Sequence, residues 1–128
     1  MSLEEFLRGP HQRGRGSSAE ADGVAWLESH GYRILGRNVV SRCGEIDVVA
    51  VEGDTLCFVE IKARRSERYG PPALAVTPAK QHRLTRCARA YLARRAWQGP
   101  CRFDVLAMLA VQGTWRYDLI RGAFAAAG

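Results

Sequence analysis

Apolar residues recur with two different periods along the chain, and these periods predict two helices and five β-strands. A first helix is expected from Ser17 or Ser18 to about His30, since serine is a favourable helix cap. A second is expected from Thr77-Pro78 to about Ala96, with a capping threonine followed by a first-turn proline. β-rich runs predict strands near residues 32–40, 44–51, 55–62, 101–111 and 114–120.

The second and third predicted strands form a β-hairpin that carries most of the candidate chemistry. Gly53-Asp54 separates the two strands, and this pair favours a two-residue hairpin turn. With that turn, the register places Asp47 opposite Glu60 and Glu45 opposite Lys62. All four of these side chains are then expected on one face of the sheet.

Asp47 and Glu60 destabilise the predicted hairpin unless a cation lies between them. Directly opposed residues have Cβ atoms only about 4.5–5.5 Å apart, and like charges at that spacing are unfavourable. Mg²⁺ binds through one or two carboxylates and keeps water and phosphate oxygens as further ligands, so it would offset the repulsion. Lys62 is then placed to orient an attacking water or to offset charge on a phosphate. The alternative is an edge hairpin with a solvated charged face.

Several short motifs resemble one protein family. Residues 44–47 (Gly-Glu-Ile-Asp) and 58–64 (Phe-Val-Glu-Ile-Lys-Ala-Arg) resemble the signature of the PD-(D/E)xK nuclease superfamily, with isoleucine in place of its proline. The resemblance extends over residues 15–120 through segments 31–35, 37–38 and 102–105 and through Lys80. Within the superfamily the chain is most similar to the bacterial YraN family of predicted endonucleases, which resemble archaeal Holliday-junction resolvases.

The resemblance implies a single-domain restriction-endonuclease-like α/β fold, with a central mixed β-sheet and a catalytic hairpin flanked by α-helices. It also implies cleavage of DNA with Mg²⁺ or Mn²⁺, branched DNA as the substrate and a homodimer as the assembly. In this interpretation Asp47 and Glu60 bind the metal and Lys62 serves the nucleophile. Glu45 is a partner of Lys62 or an added ligand.

Two helix residues are further candidates for the site. Glu20 lies on the apolar stripe of the first helix with Val24 and Leu27, so it is expected to face the sheet. The resemblance implies that Glu20 helps to hold the metal, whereas Ser17 and Glu20 also match a capping box, in which Glu20 only caps the helix. Lys80 opposes the helix dipole, so a phosphate or the carboxylates are expected to hold it there, unless it is solvated.

Length, charge and cysteine content limit the class of protein. A chain of 128 residues is enough for one domain with one core. The net charge of +6 and a pI near 9.6 favour an acidic partner such as nucleic acid. The four cysteines form no C-x-x-C pair, and no signal peptide or membrane-length apolar run is visible. A cytoplasmic protein with reduced thiols and no membrane partner is therefore expected.

Basic residues outside the hairpin are candidates for binding DNA. Residues 1–16 are expected to form a mobile basic arm, residues 17–120 the nuclease-like domain, and residues 121–128 a tail. The loop of residues 63–76 leaves directly from the catalytic strand, and its alternative role is that of an ordinary solvated loop. The candidate contacts to the DNA backbone and to unpaired bases are Arg13, Arg15, Arg64, Arg65, Arg68 and Tyr69.

The sequence thus predicts a metal-dependent DNA endonuclease. Two other classes remain open: a DNA-binding module that keeps the nuclease fold without cutting, and a basic scaffold that binds another protein. The intact acidic pair with its lysine favours the enzyme, since carboxylates near phosphate give a pure binder no advantage. The predicted catalytic residues are Asp47, Glu60, Lys62, Glu45, Glu20 and Lys80.

Overall fold

The computed structural model describes residues 18–65 and 76–126, which contain two helices and five strands. In chain order these are α1 (Ser18–Ser29), β1 (Tyr32–Ser41), β2 (Gly44–Glu52), β3 (Thr55–Arg64), α2 (Pro78–Arg95), β4 (Cys101–Val111) and β5 (Thr114–Phe124). Every predicted helix and strand is confirmed in the predicted order. The predicted ends agree with the structure to about two residues everywhere except at the end of β5.

The predicted end of β5 was wrong. The strand was expected to stop near Ile120, with a tail from residue 121 onward, yet it continues to Phe124. Phe103 of β4 pairs with Phe124, and the two rings stack with their centroids 4.7 Å apart. This aromatic contact between distant parts of the chain extends the strand. Residues 121–124 therefore belong to the sheet, whereas the arm predicted for residues 1–16 lies outside the described residues.

The five strands form one mixed sheet in the order β1-β2-β3-β4-β5. Neighbouring strands are antiparallel, except that β3 and β4 are parallel. Parallel neighbours require a long crossover connection, and α2 lies in the segment that joins β3 to β4. The predicted α/β fold with a mixed sheet, a central hairpin and flanking helices is confirmed.

The two helices cover opposite faces of the sheet. Leu84 of α2 packs in a core cluster with Phe58, whereas Leu27 of α1 packs in a second cluster with Val59. Phe58 and Val59 are adjacent on β3, so they point to opposite faces. The central strands are apolar on both faces for this reason. No helix in the described ranges combines the length and the apolar character needed to span a membrane.

The pairing of β2 with β3 ends part-way along the hairpin. The predicted register is confirmed from Glu52 and Thr55 at the turn to Val48 and Val59, where the ladder between the strands stops. Beyond this point β2 stays paired with β1, and β3 stays paired with β4. The sheet therefore divides into a fork.

The fork changes the predicted arrangement of the charged residues. Asp47 and Glu60 are not ladder partners, and neither are Glu45 and Lys62, because the two strands separate before these positions. All four residues nevertheless line the space between the separated strands. The sequence therefore predicted which residues meet but not the backbone geometry through which they meet.

Close packing fixes the start of α1 beside the fork. A Cβ atom on Gly23 would lie 3.1 Å from Ile61 Cδ1 and 3.1 Å from Met108 Sδ. The helix thus approaches β3 and β4 as closely as a glycine permits. Glu20 lies almost one turn before Gly23, so this approach brings Glu20 to the fork.

A buried polar network ties the strands together at the hairpin-turn end of the sheet. Asp104 is fully buried on β4 and accepts hydrogen bonds from Tyr32 Oη at 2.8 Å, Arg102 Nε at 2.9 Å and the Gly122 amide at 3.0 Å. Arg102 also forms a salt bridge with Glu52. These contacts join β1, β2, β4 and β5, so Asp104 is a structural residue outside the fork.

Candidate active site

The fork between β2 and β3 opens into a cleft of about 450 Å³. Five of the six residues predicted for the catalytic site line it, and only Lys80 does not. Helix α1 contributes to the lining from one face of the sheet and α2 from the other. The lining residues are Ala19, Glu20, Asn38, Glu45, Asp47, Glu60, Ile61, Lys62, Ala63 and Arg83.

Asp47 lies where the regular alternation of side chains between the two faces of β2 is interrupted. Ile46 and Val49 pack in the same core cluster, although residues three apart in a regular strand point to opposite faces. Asn38, across from Asp47 on β1, has a positive φ of 49°. At this irregular point the Ile61 amide donates a hydrogen bond to Asp47 Oδ2 at 2.9 Å, in place of a strand partner. Asp47 therefore joins the two arms of the fork as well as lining the cleft.

Glu60 is the most deeply buried acid of the cleft, with 8% of its surface exposed. Burial raises its pKa to about 9, and a hydrogen bond to Asp47 and the charge of that residue act in the same direction. Glu60 Oε1 is buried and accepts no hydrogen bond from the described part of the chain. Without a cation, Glu60 therefore holds a proton near neutral pH and keeps one unsatisfied oxygen.

Lys62 is half-buried in the cleft beside the two acids. Burial lowers the pKa of Lys62, and the charge of Lys80 lowers it too, against the opposite effect of the Glu60 and Asp47 charges. Lys80 lies in the first turn of α2, where its backbone amide donates to the capping Thr77 Oγ1 at 3.3 Å. The only two lysines of the chain therefore lie close together at the cleft.

Glu20 and Glu45 line more open parts of the cleft than Glu60 does. Glu20 is half-buried, which confirms that this side of α1 faces the sheet. The capping-box alternative for Glu20 depends on Ser17, which lies outside the described residues. Glu45 is exposed, and its backbone pairs with Val40 of β1.

Two cleft residues, Arg83 and Asn38, were missed by sequence reasoning. Arg83 Nη1 donates a hydrogen bond to the carbonyl oxygen of Glu45 at 3.2 Å. Its position three residues after Lys80, on the same side of a helix, was a usable signal. Asn38 is buried in a strand, and its positive φ was not visible in the sequence.

Asp47 and Glu60 are the residues that fit a divalent cation. Within residues 18–65 and 76–126, no group of three or more His, Cys, Asp or Glu side chains is arranged to hold a metal, and the predicted role of Glu20 as a metal ligand stays a prediction. Two carboxylates are enough for Mg²⁺, which keeps water and phosphate oxygens as its other ligands. The unsatisfied Oε1 of Glu60 is an oxygen that such an ion would bind.

Comparison with known proteins identifies the family. A family model described as "Uncharacterised protein family UPF0102" matches residues 19–108. The chain belongs to the UPF0102 family. A UPF0102 protein of Symbiobacterium thermophilum is 49% identical over 111 residues, which cover 85% of this chain and 94% of that protein. UPF0102 proteins of Chromohalobacter salexigens and Geobacter metallireducens are 43% and 46% identical, covering 88% and 77% of this chain and 91% and 81% of those proteins.

UPF0102 is the YraN family that the sequence motifs predicted, so that prediction is confirmed. The family match spans the whole cleft, since all of its lining residues and Lys80 lie within residues 19–108. The UPF0102 description assigns no activity.

The residues predicted to contact DNA are described only in part. Arg64 is half-buried at the end of β3, and Arg65 is exposed immediately after it. Both follow Lys62 along the chain as it leaves the cleft. The remaining candidates lie outside the described residues: Arg13, Arg15, Arg68 and Tyr69.

Proposed function

We propose that this UPF0102 protein is a metal-dependent endonuclease that hydrolyses DNA phosphodiester bonds in the cleft at the sheet fork. The observation that carries the proposal is the environment of Glu60, a buried carboxyl group with an unsatisfied oxygen beside Asp47. Burial of an acid and contact with a second acid both oppose folding. A cation-binding role accounts for an arrangement that stability alone disfavours.

Asp47 and Glu60 are the residues that would hold Mg²⁺ or Mn²⁺. When bound, such an ion lowers the pKa of a water molecule and offsets negative charge on a phosphate. The backbone of β3 holds Lys62 two residues from Glu60, within the same cleft. Because burial lowers its pKa, the Lys62 amine releases a proton more readily than an ordinary lysine does. Lys62 is therefore suited to orient the attacking water or to donate to a phosphate oxygen.

The charge of the molecule supports DNA as the substrate. The net charge of +6 favours a polyanion, even though the cleft itself contains four acidic side chains. Resemblance to the archaeal resolvases adds branched DNA and a homodimer to the proposal. Arg64 and Arg65, beyond Lys62, are candidates for contact with the DNA backbone.

A DNA-binding module that does not cut is the second candidate. The basic charge of the chain supports it as well as it supports the nuclease. The two candidates differ in the role of the acids, because a pure binder gains nothing from Asp47 and Glu60 near a phosphate. DNA cleavage that depends on Asp47 and Glu60 would therefore distinguish the nuclease from the binding module.

The test is cleavage of labelled linear duplex, flap and four-way-junction DNA by the purified protein. We expect cutting in Mg²⁺ or Mn²⁺, none in chelator, and binding with little cutting in Ca²⁺, whose larger and looser coordination shell positions water poorly. Glu60→Gln, purified identically, should bind DNA without cutting it. Equal cutting by wild type and Glu60→Gln would indicate a contaminating nuclease and leave the binding module as the better account.

A further inference from the structure

Three cationic side chains gather at the cleft. Lys62 lies on β3, and Lys80 and Arg83 lie on successive turns of α2. Lys80 is close enough to act on Lys62, and Arg83 is close enough to act on Glu60. In the described part of the chain, none of the three cations forms a salt bridge with a carboxylate. Among the described residues, these cations lie beside the acids of the cleft without forming salt bridges to them, so their donors are open to an anionic ligand.

The first two residues of β2, Gly44 and Glu45, hold the side chain of Arg83 in place. Arg83 Nη1 donates to the Glu45 carbonyl oxygen at 3.2 Å. A Cβ atom on Gly44 would lie 2.7 Å from Nη1 and 3.2 Å from Cδ of Arg83, so the arginine side chain lies directly over this glycine. Gly44 also has a φ of +130°, which residues with a side chain rarely adopt. Gly44 is therefore needed both for the turn and for the position of Arg83.

A guanidinium group held in this way is suited to bind phosphate. Its five N–H donors lie in one plane and can bind two oxygens of a phosphate at once. Only one described hydrogen bond uses a donor of Arg83. The Glu45 carbonyl fixes one edge of the group, so less rotamer freedom is lost when the ligand binds. We propose that Arg83 binds a backbone phosphate of the DNA and fixes the position of that strand in the cleft.

This inference rests on the proposed nuclease function for the identity of DNA as the ligand. The competing role for Arg83 is to offset the charges of Asp47 and Glu60 within the protein. If Arg83 had only that role, its substitution would not change how the affinity for DNA depends on salt concentration. A phosphate contact releases counterions, so its loss lowers the slope of log affinity against log salt by about 1.

The experiment measures DNA affinity by fluorescence anisotropy over a range of salt concentrations, in Ca²⁺ to limit cutting. Arg83→Gln removes the charge but keeps an amide donor for the Glu45 carbonyl. Arg83→Lys keeps the charge but lacks the planar guanidinium group. Arg94→Gln is the matched control, because Arg94 is exposed near the far end of the same helix. Melting temperatures of all variants show whether the fold is kept.

We expect Arg83→Gln to lower the salt slope by about 1, whereas Arg83→Lys and Arg94→Gln keep the slope of wild type. Arg83→Lys should still lose affinity about tenfold, since it cannot bind two oxygens at once. A wild-type slope in a folded Arg83→Gln protein would overturn the proposal. If wild type cuts no DNA but Arg83→Gln still lowers the slope, the phosphate contact stands and the nuclease proposal fails.

Discussion

The carboxyl group of Glu60 makes the stability of the metal-free protein depend on pH. Its folded pKa is raised above the ordinary value of 4.5 to about 9, mainly by burial. The folded state therefore binds this proton more tightly than the unfolded state does. Stability is highest below the unfolded pKa and falls as pH rises toward the folded pKa.

Glu60→Gln should remove this pH dependence. We expect the variant to be more stable than wild type at pH 8 in chelator and close to wild type near pH 4, because glutamine carries no charge to bury. Urea unfolding at several pH values measures the difference. A variant less stable than wild type at pH 8 would show that the ionised carboxylate makes favourable contacts, contrary to its unsatisfied oxygen.

Asp47 should respond differently to asparagine and to alanine. Asparagine keeps an oxygen that accepts the hydrogen bond from the Ile61 amide, whereas alanine leaves that amide unpaired at the fork. We expect Asp47→Ala to lose about 1–3 kcal/mol of unfolding free energy in chelator. Asp47→Asn should be close to wild type in stability, because its amide oxygen keeps the acceptor for the Ile61 amide. Equal losses in the two variants would exclude this role for the Ile61 contact.

The residues of the site were predictable where their type and local position revealed them. Asp47, Glu60 and Lys62 are charged residues within apolar strands, and Glu20 shares a helix face with core residues. Arg83 gave a weaker signal, its place on the same side of α2 as Lys80. Its contact with the Glu45 carbonyl oxygen was not predictable, because the arginine side chain lies over Gly44, far away in the sequence.

At the scale of elements, the strands and helices were predictable but the fork was not. Helix-capping residues, the first-turn proline of α2 and the Gly53-Asp54 turn are local signals. They were enough to predict the helices, the strands and the hairpin register. β1, the neighbour of β2, is irregular, with a register shift between Ile34 and Gly36 and a positive φ at Asn38, which lines the cleft. These irregularities reflect tertiary packing, which a strand pattern does not encode.

The polar network around Asp104 should be the most sensitive point for stability outside the cleft. Asp104→Ala would leave the partly buried Arg102 without its buried partner and the Tyr32 hydroxyl without its acceptor. We expect a loss of about 3–5 kcal/mol in unfolding free energy. Asp118→Ala, at an exposed position on β5, is the matched control and should change stability little. Similar effects of the two substitutions would contradict a structural role for Asp104.

For the whole molecule, metal binding and proton release should be coupled. Glu60 holds a proton near neutral pH in the metal-free state, and a metal ligand must be ionised. We expect Mn²⁺ to release about one proton and to bind about tenfold more tightly per unit of pH between pH 6 and 8. Titration calorimetry in buffers with different ionisation enthalpies measures both effects. An Mn²⁺ affinity that does not change with pH would show that Glu60 is not a metal ligand.

A comparison of two isosteric variants tests most directly whether the acidic pair in the cleft cuts DNA. Asp47→Asn keeps the hydrogen bond to Ile61, and Asp54→Asn makes the same chemical change at the exposed hairpin turn. The measurement is the single-turnover cleavage rate in Mg²⁺, with DNA affinity determined in parallel. We expect Asp47→Asn to bind DNA normally but to cut at least about a hundredfold more slowly, while Asp54→Asn equals wild type. Equal rates for Asp47→Asn and Asp54→Asn would contradict the account.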